Sequence, residues 1–296
     1  MSVGSTLNFI LQHPLNQQRK LAALWRFLRW QVVSRLVPGP HLHEWVGGTR
    51  FWVRQGETGL TGNLYTGLHE FADMGFLLHL LRPQDLFVDV GANAGSYTML
   101  ACGVNGASGV AYEPVPATYE RLLANIRVNG LDTRVRCVNK AVGDKVGVVA
   151  FSTGSDTTNR ALSAGESRAD QRSVEVTLLD TDLAGVEPTA IKIDVEGYET
   201  PVLQGATTLL AKPSLLCVIL ELNGSGAQYG FDESNILTLM AAHGFVGYAY
   251  DPLRRQLSQL TGKNAAAGNT LFLRNLAAIE QRLQQAPAVS INGRRF

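Results

Sequence analysis

The segment LFVDVGANAGSYTML, residues 86–100, is an apolar run that passes through small residues directly into a helical pattern. Downstream of it, apolar runs and amphipathic stretches keep alternating as far as the segment NTLFLRN. Strands that alternate with helices predict a mainly parallel sheet with helices on both faces. Continuous apolar runs such as residues 215–220 are typical of strands that are buried on both faces. The chain is therefore expected to have an α/β fold.

The apolar runs that predict strands are TRFWVRQG, LFVDV, GVAYEP, RVRCVNKAV, SVEVTLLD, AIKIDVEG, LLCVILELN, VGYAYDP and NTLFLRN. Helices are predicted at about residues 21–36, 68–81, 95–102, 117–128, 200–210 and 234–243. The stretch GLTGNLYTG before residue 68 is expected to be a loop. Residues 152–172 have no apolar period and predict a long loop of the kind that often serves as a lid or binding segment.

Composition excludes several classes of protein. The net charge of +1 gives no electrostatic case for a nucleic-acid partner. Cys102, Cys137 and Cys217 lie far apart in apolar runs, which predicts buried free thiols and a reducing compartment. The sequence shows neither an apolar run of about 18 residues nor the pattern of a signal peptide. A cytoplasmic protein is expected.

Residues 1–48 are interpreted as an amphipathic helical extension that precedes one main domain at residues 49–296. No acidic residue occurs before Glu44, whereas the segment contains five Lys and Arg residues. The apolar positions of its predicted helix repeat with a period of 3.6 residues, and Phe27 and Trp30 fall outside the repeat. The members of the repeat are Leu21, Leu24, Trp25, Leu28, Val32 and Leu36. This apolar stripe packs on the main domain or on a second chain, as in a homodimer, or it lies on the inner face of the membrane.

The glycine-rich loop after the strand LFVDV predicts a ligand site. Gly91 and Gly95 remove side chains where a ligand passes, and the backbone N–H groups that start the next helix are free to point into that space. Asn93 stands at the position where a dinucleotide fingerprint has its middle glycine. Glu113 ends the second strand 22 residues after Gly91, where a carboxylate can accept hydrogen bonds from the hydroxyls of an adenosine ribose.

Asp89 is an acid within an otherwise apolar strand, directly before the loop. A buried carboxylate needs partners, which here are loop N–H groups or the cationic end of a ligand. A carboxylate at this point repels a pyrophosphate, whereas S-adenosylmethionine carries an ammonium and a sulfonium group. Asp89 therefore favours S-adenosylmethionine over a nicotinamide dinucleotide.

The segment KIDVEG places three charges at the end of a later strand. By the period of two, Lys192, Asp194 and Glu196 share one side if the strand continues that far. Either Lys192 forms an ion pair with a carboxylate, or Asp194 or Glu196 faces a methyl acceptor and takes the proton of its hydroxyl group. Glu221 and His69 are further candidates for the base, with His69 ranked below Asp194, whereas His79 is expected to be a packed helix residue.

Asp194, Glu221 and Asn223 supply oxygen atoms from neighbouring strand ends, as the magnesium ligands of catechol-type methyltransferases do. Because their types and spacing differ from that pattern, no metal is expected. Glu221 and Asn223 are instead expected to line the acceptor pocket by hydrogen bonding.

Five segments together resemble the FkbM family of S-adenosylmethionine-dependent methyltransferases in order and spacing. They are FVDVGANAGSYT, AYEPVPATYERLLANIRVNG, NKAVGD, TLLDTDL and IKIDVEGYETPVLQGA, and the match covers roughly residues 65–223. The resemblance implies a class I methyltransferase fold, Rossmann-like, with seven strands of which the last is antiparallel. It implies S-adenosylmethionine as cofactor, with these residues binding it: Asp89, Gly91, Asn93, Gly95, Thr98, Glu113, Pro114, Asn139, Ala141 and Asp194.

The expected function is methyl transfer to a hydroxyl oxygen of a sugar, a glycan or a glycosylated natural product, with no nucleic-acid partner. One alternative is O- or N-methylation of another small natural product. A second is a non-catalytic, cofactor-binding partner subunit. The residues of the cofactor half do not separate the first two functions, whereas the intact glycine loop and acids disfavour the third.

Overall fold

A computed structural model describes residues 3–152, 159–162 and 166–296. Its strands are β1 (His41–Glu44), β2 (Arg50–Val53), β3 (Leu86–Val90), β4 (Ser108–Tyr112), β5 (Val135–Val138), β6 (Ala141–Val142), β7 (Gly147–Ser152), β8 (Gln171–Thr177), β9 (Ala190–Ile193), β10 (Cys217–Glu221), β11 (Val246–Asp251), β12 (Gln256–Gln259), β13 (Asn269–Leu273), β14 (Ser290–Ile291) and β15 (Arg294–Arg295).

The helices are α1 (Val3–Gln12), α2 (Lys20–Leu36), α3 (Thr58–Thr66), α4 (Phe71–Leu80), α5 (Ser96–Thr98), α6 (Pro116–Val128), α7 (Leu179–Asp182), α8 (Glu199–Gln204), α9 (Thr207–Ala211), α10 (Glu233–Ala242) and α11 (Leu276–Gln285). α5 continues as a π-helix over Met99–Val104. Short 3₁₀ helices occupy Pro14–Asn16, Val46–Gly48 and Ser225–Tyr229.

The central sheet has eight strands in the order β12-β11-β13-β10-β9-β3-β4-β5. β5, β4, β3, β9 and β10 are parallel neighbours, whereas β13 is antiparallel to both β10 and β11. These seven strands have the class I methyltransferase arrangement, in which the last strand is antiparallel. The predicted fold is therefore confirmed, and β12 adds an eighth strand by pairing with β11.

Both faces of this sheet are covered. Successive side chains of a strand point to opposite faces, so the fully buried Phe87 packs in one hydrophobic cluster and the fully buried Val88 in the other. The Phe87 cluster includes residues of α4, α6 and α11, such as Leu77 and Ile279. The other includes residues of α8, α9 and α10, such as Met240. This double cover explains why the strands read as continuous apolar runs.

A smaller sheet, in the order β6-β8-β7, flanks the region predicted as a loop and overlaps it only at its two ends. β7 ends at Ser152, β8 begins at Gln171, and Ala161 pairs with Phe151 between them. Val115, Ala141, Phe151 and Val174 form its apolar cluster. The rest of the predicted long loop, residues 153–158 and 163–165, lies outside the described residues.

Two predictions of local structure are wrong. The expected loop GLTGNLYTG is largely helix α3, because Leu60, Leu64 and Tyr65 pack in a cluster with the N-terminal helices. Tertiary packing there outweighs the low helix propensity of its glycines. The single helix expected at residues 200–210 is two short helices, α8 and α9, separated at Gly205. Helices α1 and α11, strands β1, β7 and β12 and the β14–β15 hairpin were not predicted from the sequence.

The predicted helix at 21–36 is confirmed as α2, but its predicted apolar stripe does not pack on the main domain, whereas packing on a second chain or on a membrane stays a prediction. Ala23, Phe27 and Trp30 are buried, whereas the predicted stripe is largely exposed. The Phe27 ring lies 5.3 Å from that of Tyr65, and the Trp30 ring lies 5.5 Å from that of His41. The aromatic side chains outside the repeat therefore anchor the helix. The division at residue 48 stays a prediction.

Three further expectations concern buried polar groups and membrane segments. Cys102 and Cys217 are buried free thiols, and Cys137 is a half-buried one. His79 is fully buried, with its Nδ1 2.7 Å from the Tyr250 hydroxyl, and burial lowers its pKa to about 4, as expected for a packed residue. Within the described ranges, no helix has the length and apolar character that crossing a bilayer requires.

Candidate active site

A cavity of about 340 Å³ lies at the carboxyl ends of the central strands. Its wall combines the glycine loop after β3, the end of β4 and the ends of β9 and β10. The predicted site residues in this wall are His69, Gly91, Asn93, Glu113, Pro114, Asp194, Glu196 and Glu221. Residues from distant parts of the sequence thus meet where open α/β sheets bind their ligands.

Gly91 allows the loop to lie directly against the end of β9. Its φ is +77°, and a Cβ at this position would lie 1.9 Å from the backbone oxygen of Asp194. The N–H groups of Gly91 and Ala92 both donate to the carbonyl of Tyr112. Only glycine meets both requirements, so the position couples the loop to the acid cluster described below.

Glu113 holds the same loop from β4. Its Oε2 accepts a hydrogen bond from the N–H of Asn93 at 3.0 Å, and its Oε1 accepts one from Val115 at 2.9 Å. Asn93 adopts a φ of +50°, and its side chain caps the N–H of Ala94. Burial raises the pKa of Glu113 to about 7. Each carboxylate oxygen keeps a second lone pair for a hydroxyl donor in the cavity.

Three residues predicted to bind the cofactor lie beneath the loop, outside the cavity wall. Asp89 is 1% exposed, and its Oδ2 accepts from both the N–H and the Oγ1 of Thr98, at 3.1 and 2.6 Å. Burial raises the pKa of Asp89. Gly95, with a φ of +90°, packs against Leu122. Asp89 thus has a backbone N–H partner, as one of its two interpretations expected, and the assignment of these three residues to cofactor binding stays a prediction.

Asn139 supports the turn that follows β4, and its expected contact with the cofactor stays a prediction. Its Nδ2 donates to the carbonyls of Glu113 and Pro114, at 2.8 and 3.1 Å, and so supports the turn after β4. Ala141 lines a smaller adjoining cavity together with Gly91 and Pro114. Of the two residues of this segment that are expected to bind the cofactor, Ala141 lies in a cavity wall and Asn139 does not.

The acid cluster comprises Asp194, Glu196 and Glu221. β9 ends at Ile193, so the expected alternation along a strand does not reach Asp194 and Glu196. The loop that follows nevertheless gathers the three carboxylates, whose oxygens lie within 4.8 Å of one another. Such a group is close enough to share a cation, and the expectation of no metal stays a prediction.

Lys192 neutralises one member of the cluster. Its Nζ donates to Oδ2 of Asp194 at 2.9 Å and lies 4.9 Å from the centre of the Tyr97 ring. Burial opposes the charged form of Lys192, but Asp194 and Asp89 raise its pKa above the ordinary value. Burial likewise opposes ionisation of Asp194, but Lys192 lowers its pKa. The pair is ionised at neutral pH.

The pKa values of the other two acids, Glu221 and Glu196, are raised and not lowered. Burial, and then the charge of Asp194, raises the pKa of Glu221 to about 9. The same two causes, in the same order, raise that of Glu196 to about 7. At neutral pH the cluster therefore contains an ionised Asp194, a protonated Glu221 and a Glu196 near its midpoint.

Glu196 is held in an uncommon backbone conformation, with a φ of +56°. The carboxylate of Glu199 accepts from the N–H groups of Val195 and Gly197, at 3.1 and 3.2 Å, on either side of it. A Cβ at Gly197 would lie 2.7 Å from the backbone of Ser225, so the turn is packed closely. Left-handed non-glycine residues persist where the surroundings fix them, which is common at functional sites.

Several residues of the wall were missed by the sequence analysis. Tyr97 donates to Oε2 of Glu70 at 3.0 Å, and Asn269 donates to Oε1 of the same carboxylate at 2.8 Å. Asn63 accepts from the N–H of His69 at 2.7 Å. Tyr97 lies within the glycine-loop segment and could have been considered, whereas nothing in the sequence singles out Asn63.

Asn223, expected in the acceptor pocket, is not part of the cavity wall. Its Oδ1 accepts from the N–H of Ser225 at 2.9 Å and so caps the turn after β10. Of the two polar residues expected at the end of β10, only Glu221 faces the cavity.

The composition of the wall fits S-adenosylmethionine. Glu113 offers acceptors for ribose hydroxyls, and the ionised carboxylate of Asp194 suits a ligand with an ammonium and a sulfonium group. A pyrophosphate would face three acids here.

Comparison with known proteins identifies the family. The family described as the methyltransferase FkbM domain matches residues 89–246. The hexuronic acid methyltransferase AglP of Haloferax volcanii is 26% identical over 166 residues, which are 56% of this chain and 65% of that protein. The match thus spans somewhat less than two thirds of the relative's length.

Similar solved structures include precorrin-6y C5,15-methyltransferase from Geobacter metallireducens, with 13% identity, a TM-score of 0.39 and coverage of 69% of this chain and 86% of that one. Another is P. horikoshii TYW2 in complex with MeSAdo, with 13% identity and a TM-score of 0.40. The match covers 79% of this chain and 69% of that one. Because the family match spans more than half of the chain, the protein belongs to the FkbM family of S-adenosylmethionine-dependent methyltransferases.

Proposed function

We propose that the protein is an O-methyltransferase that methylates a hydroxyl group of a sugar, in a glycan or a glycosylated natural product. The observation that carries this proposal is the graded acid cluster of Asp194, Glu196 and Glu221, which shares one cavity with the glycine loop. The relative that methylates a hexuronic acid supports a sugar-type acceptor.

The cofactor half of the cavity is built from backbone and one carboxylate. Glu113 would accept hydrogen bonds from the ribose hydroxyls, and Gly91 and Asn93 would leave the backbone open to the ligand. The smaller cavity beside Ala141, of about 20 Å³, has room for about one water molecule, so the adenine ring would lie in the main cavity. When bound, S-adenosylmethionine supplies an electrophilic methyl group.

The acceptor half must supply a base, because a hydroxyl group is a poor nucleophile at neutral pH. Glu196, with a pKa of about 7, suits this role better than Asp194, whose pKa Lys192 lowers. Glu196 would take the hydroxyl proton as the oxygen atom takes up the methyl group. This assignment revises the order of preference drawn from the sequence, which put Asp194 first.

Asp194 and Glu221 would position the acceptor. The ionised Asp194 accepts a hydrogen bond from a sugar hydroxyl, and the protonated Glu221 donates one to Asp194 or to the sugar. Glu70 and His69 add polar groups to the same wall. Holding the acceptor oxygen in line with the methyl group accounts for much of the rate enhancement.

The first test is cofactor binding. S-adenosylhomocysteine should raise the melting temperature, because a ligand that binds only the folded state stabilises it. Glu113→Ala should reduce that shift, whereas Glu120→Ala, at an exposed position on α6, should leave it unchanged. Stabilisation by NADH and not by S-adenosylhomocysteine would refute the assignment.

The second test is methyl transfer itself. The protein would be incubated with labelled S-adenosylmethionine and with hexuronic acids, neutral sugars and fractionated glycans, and the products analysed by mass spectrometry. A methyl ether on a sugar oxygen is the expected product. Label on nitrogen, or cofactor binding without any transfer, would favour the alternative functions instead.

A further inference from the structure

The exposed face of α2 is an apolar stripe. Its side chains are between 53% and 83% exposed, and they are Leu21, Trp25, Leu28, Val32 and Leu36. Their spacing of three or four residues places them on one continuous face of a helix. Soluble surfaces rarely group so many large apolar side chains, and such a patch marks an interaction site.

Packing of the opposite face of α2 prevents the helix from rotating so that the stripe would be buried. Its opposite face is occupied by the buried residues Ala23, Phe27 and Trp30, which pack in the cluster that also contains Phe51 and Leu64. Aromatic contacts to Tyr65 and His41 fix that orientation. The stripe is therefore a fixed feature of the folded surface, and it faces away from the core.

The charges beside the stripe are positive. Lys20, Arg29 and Arg35 are exposed on α2, and the sequence has no acidic residue before Glu44. Arg35 donates to the backbone oxygen and the Oε1 of Gln31, which are neutral acceptors. No acid of the same segment compensates these cations, so the face attracts anions.

A groove of about 190 Å³ adjoins the same helix, between α2 and the β1–β2 hairpin. Arg26, Arg29, His41 and His43 line it. Arg26 donates only to neutral oxygens, those of Asn16 and Tyr65. Burial, then Arg29 and Arg26, lower the pKa of His43, which reflects the positive potential of the groove. Guanidinium groups in such a setting suit a phosphate.

We propose that α2 docks on an anionic phospholipid bilayer, with the apolar stripe in the headgroup boundary and the cations on lipid phosphates. Apolar residues including Trp, flanked by Lys and Arg, are the pattern of a helix that lies in the interfacial plane. A second copy of the chain fits less well, because pairing two such helices would bring their cations together without an acid between them.

The position of α2 gives this docking a consequence for the cavity. α2 packs on α3 through Phe27 and Tyr65, and α3 contributes Thr58, Leu60 and Asn63 to the cavity wall. A bilayer on the stripe would therefore be separated by α2 alone from the element that closes one side of the cavity. The docking and its test do not depend on the proposed methyl transfer.

The test is flotation of the full chain with vesicles. The protein should float with phosphatidylcholine vesicles that contain phosphatidylglycerol, much less with phosphatidylcholine alone, and less at high salt because charges are screened. Lys20→Gln combined with Arg29→Gln should weaken vesicle binding about 10-fold or more. Each cation near the surface contributes about 1 kcal/mol, which is about a factor of five in affinity.

The stripe is tested by Trp25→Ser combined with Leu28→Ser, which should abolish flotation. Both side chains are exposed, so folding should be retained, and circular dichroism checks this. The matched control is Val146→Ser combined with Val148→Ser, two equally exposed apolar residues elsewhere, which should bind as the original chain does. Equal flotation of the stripe and control variants would overturn the proposal. A stripe variant that instead converts a dimer to a monomer in light scattering would assign the face to a second copy.

Discussion

The Nζ of Lys192 lies 2.9 Å from Oδ2 of Asp194, and the lysine side chain is 5% exposed. This ion pair, one of two interpretations left open by the sequence, fixes the electrostatics of the acid cluster. The ammonium lowers the pKa of Asp194, and the charge of Asp194 in turn helps to raise those of Glu196 and Glu221. Burial and this one ion pair together thus give three neighbouring carboxyl groups different protonation states at the same pH.

Substitution of Glu196 tests its role as the base. Glu196→Gln should lower kcat by about 10²-fold or more, because the variant cannot take the hydroxyl proton. The stabilisation by S-adenosylhomocysteine should be unchanged. Glu120→Gln, an exposed acid on α6, is the matched control and should retain full turnover. Undiminished turnover in Glu196→Gln would move the role to Asp194, Glu221 or His69.

The pH dependence of kcat should be bell-shaped. The rate rises as Glu196 loses its proton near a pH of about 7, since only the carboxylate can act as a base. It falls as Glu221 ionises near a pH of about 9, because a second charge beside Asp194 removes a hydrogen-bond donor. Glu221→Gln should remove the alkaline limb and keep the acidic one. A flat profile for the original chain would contradict both roles.

The site residues that directly follow a predicted strand could be predicted from the sequence. Gly91 and Glu113 end neighbouring strands at a fixed spacing, and Asp194 and Glu196 follow a third, so parallel pairing brings them to one edge. Glu221 could be placed by the same reasoning. These positions follow from which strands pair, and the alternating pattern predicted that pairing.

Contacts between distant segments could not be predicted in this way. Whether Phe27 or Leu28 faces the core depends on Tyr65, which lies on an element that the sequence analysis took for a loop. Asn139 was expected to contact a ligand because its position resembles that of the family, but its amide is used by the carbonyls of Glu113 and Pro114. Side-chain partners of this kind are settled by the packed structure.

Gly91→Ala tests the close approach of the glycine loop to β9. The added Cβ would lie 1.9 Å from the oxygen of Asp194, so the loop must move and the acid cluster with it. We expect a lower melting temperature and loss of the stabilisation by S-adenosylhomocysteine. Gly130→Ala is the matched control, because Gly130 also has a positive φ, +63°, but no atom lies within 4 Å of its Cβ position.

Gly130→Ala should cost only about 1 kcal/mol of backbone strain and leave cofactor binding intact. Similar behaviour of the two variants would mean that strain alone, and not the contact with Asp194, explains the effect at Gly91.

Asp73 provides a test of the buried acids behind the cavity. It is 4% exposed, and its Oδ2 accepts from Asn269 at 3.2 Å. Burial, and then the charge of Glu70, raises the pKa of Asp73 from 3.8 to about 7. The folded state therefore binds a proton that the unfolded state has already released between these two values. The free energy of unfolding must fall as the pH rises from about 4 to about 7.

Asp73→Asn should remove this contribution while keeping an acceptor for Asn269. Between pH values of about 5 and 8 the original chain loses the part of this contribution that corresponds to about two pKa units, so the variant should gain about 2.7 kcal/mol of stability relative to it over that range. Denaturant unfolding at both pH values measures the difference. The titrations of Glu113, Glu196 and Glu199 occur in both proteins, so their contributions cancel in the difference between the two free energies of unfolding. Asp132→Asn, at an exposed position, should follow the original chain, and a constant offset for Asp73→Asn at both pH values would show that Asp73 does not titrate in this range.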